Sequence, residues 1–428
     1  MIKRYPYLLI FISALSFLMV SCSLMNASSQ EEVLARTIVA IANEQLALTP
    51  TKVPPTAVPT LTPTETPTVI PTDTVTPTPE PSPTSEFLAN YPPEGYGPTN
   101  FPPDINPLTG LPVDDLTRLN RRPISVKISN FPRGIRPQWG LSLADHVFEY
   151  YHEAGLTRFN AIFYGNNVDQ IGPIRSARFS DKDIVEMYKA FFAFGSADHR
   201  ILNRLAYSDF TARMASITDY PCPPIDLYPL CRIDQNTWNH LVTNNVVLYQ
   251  HFENKGISND RQNLDGLLFK TDLPPGGQTA NSVMVRYSLG SYHKWTYDPV
   301  SGEYFRNQDV IESEQGQELF EPTVDRLNNQ PISADNVVVL LAKHQYYNVK
   351  PEMIEIPFDG YGKAYVFREG QAYLVNWGRL TNSDLIFFAY DDGSRFPLKP
   401  GNTWFDVIGA TSQVQTESPD WQFRFFIP

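Results

Sequence analysis

Two neighbouring stretches decide the fold class: Ser142-Leu-Ala-Asp145-His146-Val-Phe-Glu149-Tyr150 and Thr157-Arg158-Phe-Asn-Ala-Ile-Phe-Tyr164. The first reads as a helix, with Ser142 placed as its N-cap. The second is apolar, β-branched and aromatic, and reads as a strand. Upstream, Ile124-Ser-Val126-Lys-Ile128 alternates at period 2 and reads as a strand. Downstream, Ser180 opens a helix over 181–189, and Phe191-Phe-Ala-Phe194 reads as a buried strand that ends at Gly195-Ser196. A further helix is expected over 199–207. Strands alternating with helices predict a mixed α/β sheet domain over 105–270. After Pro274-Pro275-Gly276-Gly277 the pattern changes. Short aromatic and β-branched runs such as Asn336–Leu341 and Lys363–Arg368 are separated by turn pairs such as Glu369-Gly370. They predict a mainly β domain over 275–428, so the expected class is α+β.

The chain before these domains is not globular in pattern. Lys3 and Arg4 precede an apolar run from Tyr5 to Val20, which reads as an export signal over 1–21. The run is shorter than the ~20 apolar residues a spanning helix needs. It ends in Met19-Val20-Ser21-Cys22, which resembles a bacterial lipobox. On that reading Cys22 carries the lipid, and acyl chains hold the protein to the outer side of the membrane. Residues 22–48 are then the acylated N-terminus and one short helix, with Glu31 and Glu32 at its start. Pro55, Pro59, Pro63, Pro67 and Pro71 recur every four residues with threonine between them. The tract over 49–104 therefore reads as a disordered Pro/Thr stalk. At about 3.1 Å per residue it reaches at most about 170 Å.

Composition removes several function classes. Lys and Arg total 34 against 46 Asp and Glu, a net charge of −12, which argues against nucleic acid as a partner. Three cysteines cannot build a four-cysteine zinc site. No phosphate-cradling glycine loop or dinucleotide fingerprint occurs, so no cofactor is expected. His146 and His152 are six apart and do not align as helical metal ligands, so no metal is expected either. Cys222 and Cys231 enclose a Pro-rich segment and, after export, are expected to pair as a disulfide.

Ordered motifs from about residue 106 to the end resemble the YerB-like lipoprotein family. They are Asn106-Pro-Leu-Thr-Gly110, Arg122-Pro-Ile-Ser-Val126, Arg136-Pro137-Gln138 before Ala144-Asp145, and Gly155-Leu-Thr-Arg-Phe159. The most specific is Ile171-Gly-Pro-Ile-Arg175-Ser176-Ala-Arg178. In the second half, Trp295-Thr-Tyr297-Asp298, Asp335-Asn-Val-Val-Val339 and Pro400-Gly-Asn-Thr-Trp404 resemble the companion domain. The resemblance implies an envelope lipoprotein with an α/β first domain, and it implies no reaction. Asn239-His240-Leu241 exchanges two residues of the family pattern, and Ala154 replaces one glycine of a pair.

The first domain concentrates arginine within or beside these motifs: Arg133, Arg136, Arg158, Arg175 and Arg178. Guanidinium forks recognise carboxylate and phosphate. Arg136, Arg158, Arg175, Ser176 and Arg178 are therefore the candidate site for an anionic envelope ligand or an envelope protein. The competing reading pairs the arginines with Asp145, Glu149, Glu153 and Asp181 as structural ion pairs. Asp145, Glu149 and Glu153 are the candidate catalytic carboxylates of an alternative function, a hydrolase or transferase acting on wall glycan or peptide.

Overall fold

The computed structural model describes residues 87–427, apart from 217–218, 235–238 and 314–316. The export signal, Cys22, the helix expected within 30–48 and the Pro/Thr repeats lie outside the described residues. The α+β class holds: two mixed sheets carry most of the structure, and the helices are few and short.

The decisive stretch folds differently from its reading. Residues 141–143 form one 3₁₀ turn, and the chain then enters a strand, His146–Glu153, instead of a helix. The next strand, Leu156–Phe163, returns antiparallel through Ala154-Gly155, both with positive φ. The pattern misled because the first strand is buried on both sides. A strand covered on two faces shows no polar/apolar alternation.

In chain order the first half supplies β1 (Ile124–Ser129), β2 (His146–Glu153), β3 (Leu156–Phe163), β4 (Phe191–Ala193) and β5 (Met214–Ala215). Three helices accompany them: α1 (Asp181–Tyr188), α2 (His199–Ala206) and α3 (Asn245–Asn254). The sequence reading found α1 and α2 and missed α3. Asn244 caps α3 by accepting from the Val247 amide at 2.8 Å. The second half supplies β6 (Ser282–Arg286), β7 (Tyr292–Asp298), β8 (Glu303–Asp309), β9 (Phe320–Pro322), β10 (Asn336–Ala342), β11 (Gly360–Arg368), β12 (Gln371–Arg379), β13 (Phe387–Ala389), β14 (Thr403–Gly409), β15 (Gln413–Glu417) and β16 (Asp420–Arg424).

The halves share one eleven-stranded sheet, ordered β13-β12-β11-β10-β14-β2-β3-β1-β4-β5, with the short strand Gln278–Thr279 added on β12. The junction is β14, parallel to β10 on one side and to β2 on the other. A second sheet runs β9-β8-β7-β6-β16-β15. Period 2 then sorts the side chains into two cores. Val147, Phe159 and Trp404 pack with Val283, Trp295 and Tyr304 of the second sheet. Phe148, Tyr150, Phe405 and Val407 face the other way, onto Ile184, Met187 and Tyr188 of α1. Among the described residues, no helix is long and apolar enough to cross a membrane.

Candidate functional site

The segment 171–178 is held by its backbone. Ser129 donates to the Pro173 carbonyl at 2.8 Å, and Arg175 donates to the Lys127 carbonyl at 2.9 Å. Ile174 donates to Leu241, while Ala177 and Gly195 tie the segment to 195–196 on its far side. Gly195 permits that approach, because a Cβ there would lie 3.2 Å from the Arg175 carbonyl carbon. Beneath the segment lies a fully buried polar cluster. Lys127, from the centre of β1, meets Tyr150 of β2 and Asp181 of α1. Asp181 also accepts from Asn160 at 2.8 Å and from the Arg178 amide at 2.6 Å. Burial pushes the Lys127 amine down to about 7, against the pull of Asp181.

The candidate arginines divide into two groups. Arg136 is buried and serves the junction of the halves, donating to the Asn130 carbonyl and to both the carbonyl and carboxylate of Asp309 on β8. Arg133 reaches the same Asp309 carboxylate at 2.6 Å. Arg158 spends one donor on the Ser176 carbonyl at 2.6 Å. Arg178 pairs with Glu153 and donates to the Ala177 carbonyl. Of the four carboxylates proposed as structural partners, only Glu153 takes an arginine of the candidate set, while Glu149 goes to Arg306 of β8.

Arg175 is different. Its guanidinium touches the Ser129 hydroxyl and the Asn239 amide oxygen. Among the described residues no carboxylate pairs with it. It lines a cleft of about 290 Å³ together with Ser176, Gly195, Ser196, Asp219 and Arg232. Burial, then Arg178 and Arg232, lower Arg175 from its ordinary value. Two cations facing one cleft repel each other, and an anion between them would relieve that repulsion. Arg232 follows Cys231, which is bonded to Cys222. Its carboxylate partner is Asp219 at 3.1 Å, whose side chain is almost wholly in solvent. Arg232 and Asp219 were not legible as site residues, since nothing local in the sequence marks them. Ser176 also borders a second cavity of about 250 Å³, lined by Glu153, Arg178, Asp198 and Glu352.

The three candidate catalytic carboxylates do not share a cavity among the described residues. Asp145 is buried beside the Asn106-Pro-Leu-Thr-Gly110 turn, where it accepts from the Asn106 amide and the Tyr164 backbone, both at 2.6 Å. Burial raises its carboxyl, against those donors. Glu153 would be raised by burial, but His152 and Arg178 beside it bring it down to about 2. Glu149 points into the core between the sheets. Its register partner across the parallel pair is Asp406 of β14. Two facing carboxylates repel, and the second sheet supplies the compensation. Arg306 donates to Glu149 at 2.7 Å, and Trp295 donates to Asp406 at 3.0 Å. His293 stands between them, Nδ1 3.5 Å from Glu149 and Nε2 3.0 Å from Asp406. Burial alone would raise the Glu149 carboxyl, but Arg306 and His293 outweigh it and hold it below the ordinary range.

Glu149, His293 and Asp406 bring potential metal-ligand atoms within 4.8 Å of one another. The ring nitrogens, however, face different carboxylates. Arg306 already donates to Glu149 and Trp295 to Asp406, so a metal ion held there would face a buried guanidinium. The arrangement is a buried bridge between halves, built on the Arg306–Glu149 ion pair, with the imidazole between the two carboxylates.

Residues 108–256 match a family described as "Protein of unknown function (DUF3048) N-terminal domain", and 283–405 match its C-terminal domain. Together the matches span more than half of the chain. The chain belongs to this YerB-like family. It is 27% identical over 319 residues to the YerB protein of Bacillus subtilis (strain 168), which carries the word lipoprotein in its name. That match covers 71% of this chain and 85% of the relative. A crystal structure of YerB from Bacillus subtilis superposes with a TM-score of 0.60 at 25% identity, covering 71% of this chain and 96% of the other. The segment 171–178, the cleft beside it and β2 lie inside the first matched region, and His293 and Arg306 lie inside the second.

Proposed function

We propose that this protein is a lipid-anchored, extracytoplasmic binding or scaffold module of the cell envelope, and that its first half holds an anionic ligand between Arg175 and Arg232. Cys22 is the anchor in this reading, supported by the lipobox-like Met19–Cys22 and by the name of the Bacillus subtilis relative. The observation that carries the ligand site is Arg175 itself. It is a partly buried guanidinium on a cleft wall, with polar neighbours and no carboxylate partner among the described residues. Its Nη1 makes no hydrogen bond among those residues, and Ser176 and Ser196 line the same cleft. A phosphate or carboxylate would complete this set, displacing the exposed Asp219 from Arg232. The alternative, a wall hydrolase or transferase, needs a carboxyl that can donate a proton. Glu149 and Glu153 are held below the ordinary range, and Asp145, the one that burial raises, is buried and locked by the Asn106 amide and the Tyr164 backbone, which favours the binding reading.

The test is thermal unfolding of the full chain with pyrophosphate as probe. At 100 times its dissociation constant a ligand adds ~2.7 kcal/mol of stability, a shift of a few degrees. Arg175→Glu should abolish the shift and leave the unliganded melting temperature within a few degrees of the parent. An unchanged pyrophosphate shift in Arg175→Glu would refute the site.

A further inference from the structure

The outer face of the second sheet presents an ordered polar grid. On β16, Trp421 and Phe423 point into the core, so Gln422 and Arg424 point out. Register fixes their neighbours. Gln415 of β15 lies opposite Gln422, which lies beside Met284 of β6. Gln413 lies opposite Arg424, which lies beside Arg286. Lys294 of β7 extends the first row. The grid therefore has two rows, the longer one crossing four strands, about 14 Å by 7 Å between Cα positions. One side is walled by Leu289 and by Glu318, which pairs with Arg286, and the open cleft between them measures about 330 Å³.

The side chains of Gln413, Gln415, Gln422, Arg424 and Lys294 have no hydrogen-bond or ion-pair partner among the described residues. We propose that this face binds an acidic, polyhydroxylated glycan. Each glutamine offers an amide donor and an acceptor, the pairing that neighbouring sugar hydroxyls require. The unpaired cations Arg424 and Lys294 select for a carboxylate on the sugar, in a chain whose net charge is −12. A phosphate polymer would call for denser cations, and a peptide would call for apolar pockets. The cleft offers only Met284 and Leu289 at its surface, since Phe423 is buried. The footprint suits roughly two sugar rings. This site lies in the second half and does not depend on the Arg175 cleft.

The probe is trigalacturonic acid, titrated calorimetrically into the full chain purified in detergent, with maltotriose and hexaglutamate as comparators. Trigalacturonic acid should bind at least tenfold more tightly than either. Arg424→Ala should remove the preference for the acidic sugar, and Gln415→Ala with Gln422→Ala should weaken binding about tenfold. Arg175→Glu should leave it unchanged, which separates this site from the pyrophosphate site. On the unsubstituted chain, hydrogen exchange should slow over 413–424 when the sugar is present. No binding at millimolar sugar, equal binding of hexaglutamate, no exchange protection, or a loss in Arg175→Glu without one in Arg424→Ala would each overturn the proposal.

Discussion

Arg306→Met tests the ionic bridge at the junction. Arg306 is 2% exposed and lies over the Phe159 and Trp404 rings at 5.5 and 5.2 Å. Methionine keeps most of that apolar packing and removes the charge. Glu149 then remains buried beside Asp406 without its guanidinium, keeping only neutral donors such as the Thr157 hydroxyl and the Asn130 amide. Breaking a buried pair from one side costs about 3–5 kcal/mol, and we expect a loss of that size at pH 7. The sign of its pH dependence follows from Glu149. In the parent the carboxyl is held below its ordinary value. Its contribution is therefore present above the unfolded carboxylate range and disappears as pH falls through the folded value. In the variant, burial is less opposed once Arg306 is gone, so the same carboxyl is expected to move upward. The deficit relative to the parent should then shrink between pH 7 and pH 4, as Glu149 takes a proton. Urea unfolding followed by tryptophan fluorescence at four pH values measures both. Arg306→Met with Glu149→Gln should recover more than half of the loss. A loss below about 1 kcal/mol, a deficit that does not change with pH, or no recovery in the double variant would refute the bridge.

Two further outcomes follow from other parts of the molecule. Reducing the Cys222–Cys231 bond should cost about 2–3 kcal/mol and weaken pyrophosphate binding, because the adjacent Arg232 lines the cleft. Calorimetry with and without reductant measures both, and undiminished affinity would detach the disulfide from the site. Lys127 is held down to about 7 by burial, below its unfolded value of about 10.5. The unfolded chain therefore binds more protons over that range, and this group makes stability rise with pH from about 7 to 10.5. Lys127→Met should flatten that rise in urea titrations, and a parallel rise in the variant would show that Lys127 is not its source.

How much of this was legible depended on where each residue found its partner. The strands β1, β3 and β4 and the helices α1 and α2 carry their own periodicity and were read from it. The glycine of Ala154-Gly155 sits in the hairpin turn, yet β2 before it carries the local pattern of a helix. The reason is the same one that builds the junction. His146 and Glu149 look like the wet face of a helix when the only available environment is local sequence. In the fold they are buried: His146 bonds Tyr188 and the Leu108 carbonyl, and Glu149 meets Arg306 from a strand some 150 residues away. Polar residues inside a doubly covered strand can be interpreted only together with the distant groups that satisfy them. The arginines show the same logic. Arg136, Arg158 and Arg178 look alike in sequence, and their use is set by Asp309, the Ser176 carbonyl and Glu153. Arg158 and Arg175 both lack a carboxylate partner among the described residues, but Arg158 is spent on the Ser176 carbonyl whereas Arg175 lines a cleft. That difference emerges once the chain has closed around them, which is why the motif pointed to the segment while the fold was needed to choose the residue.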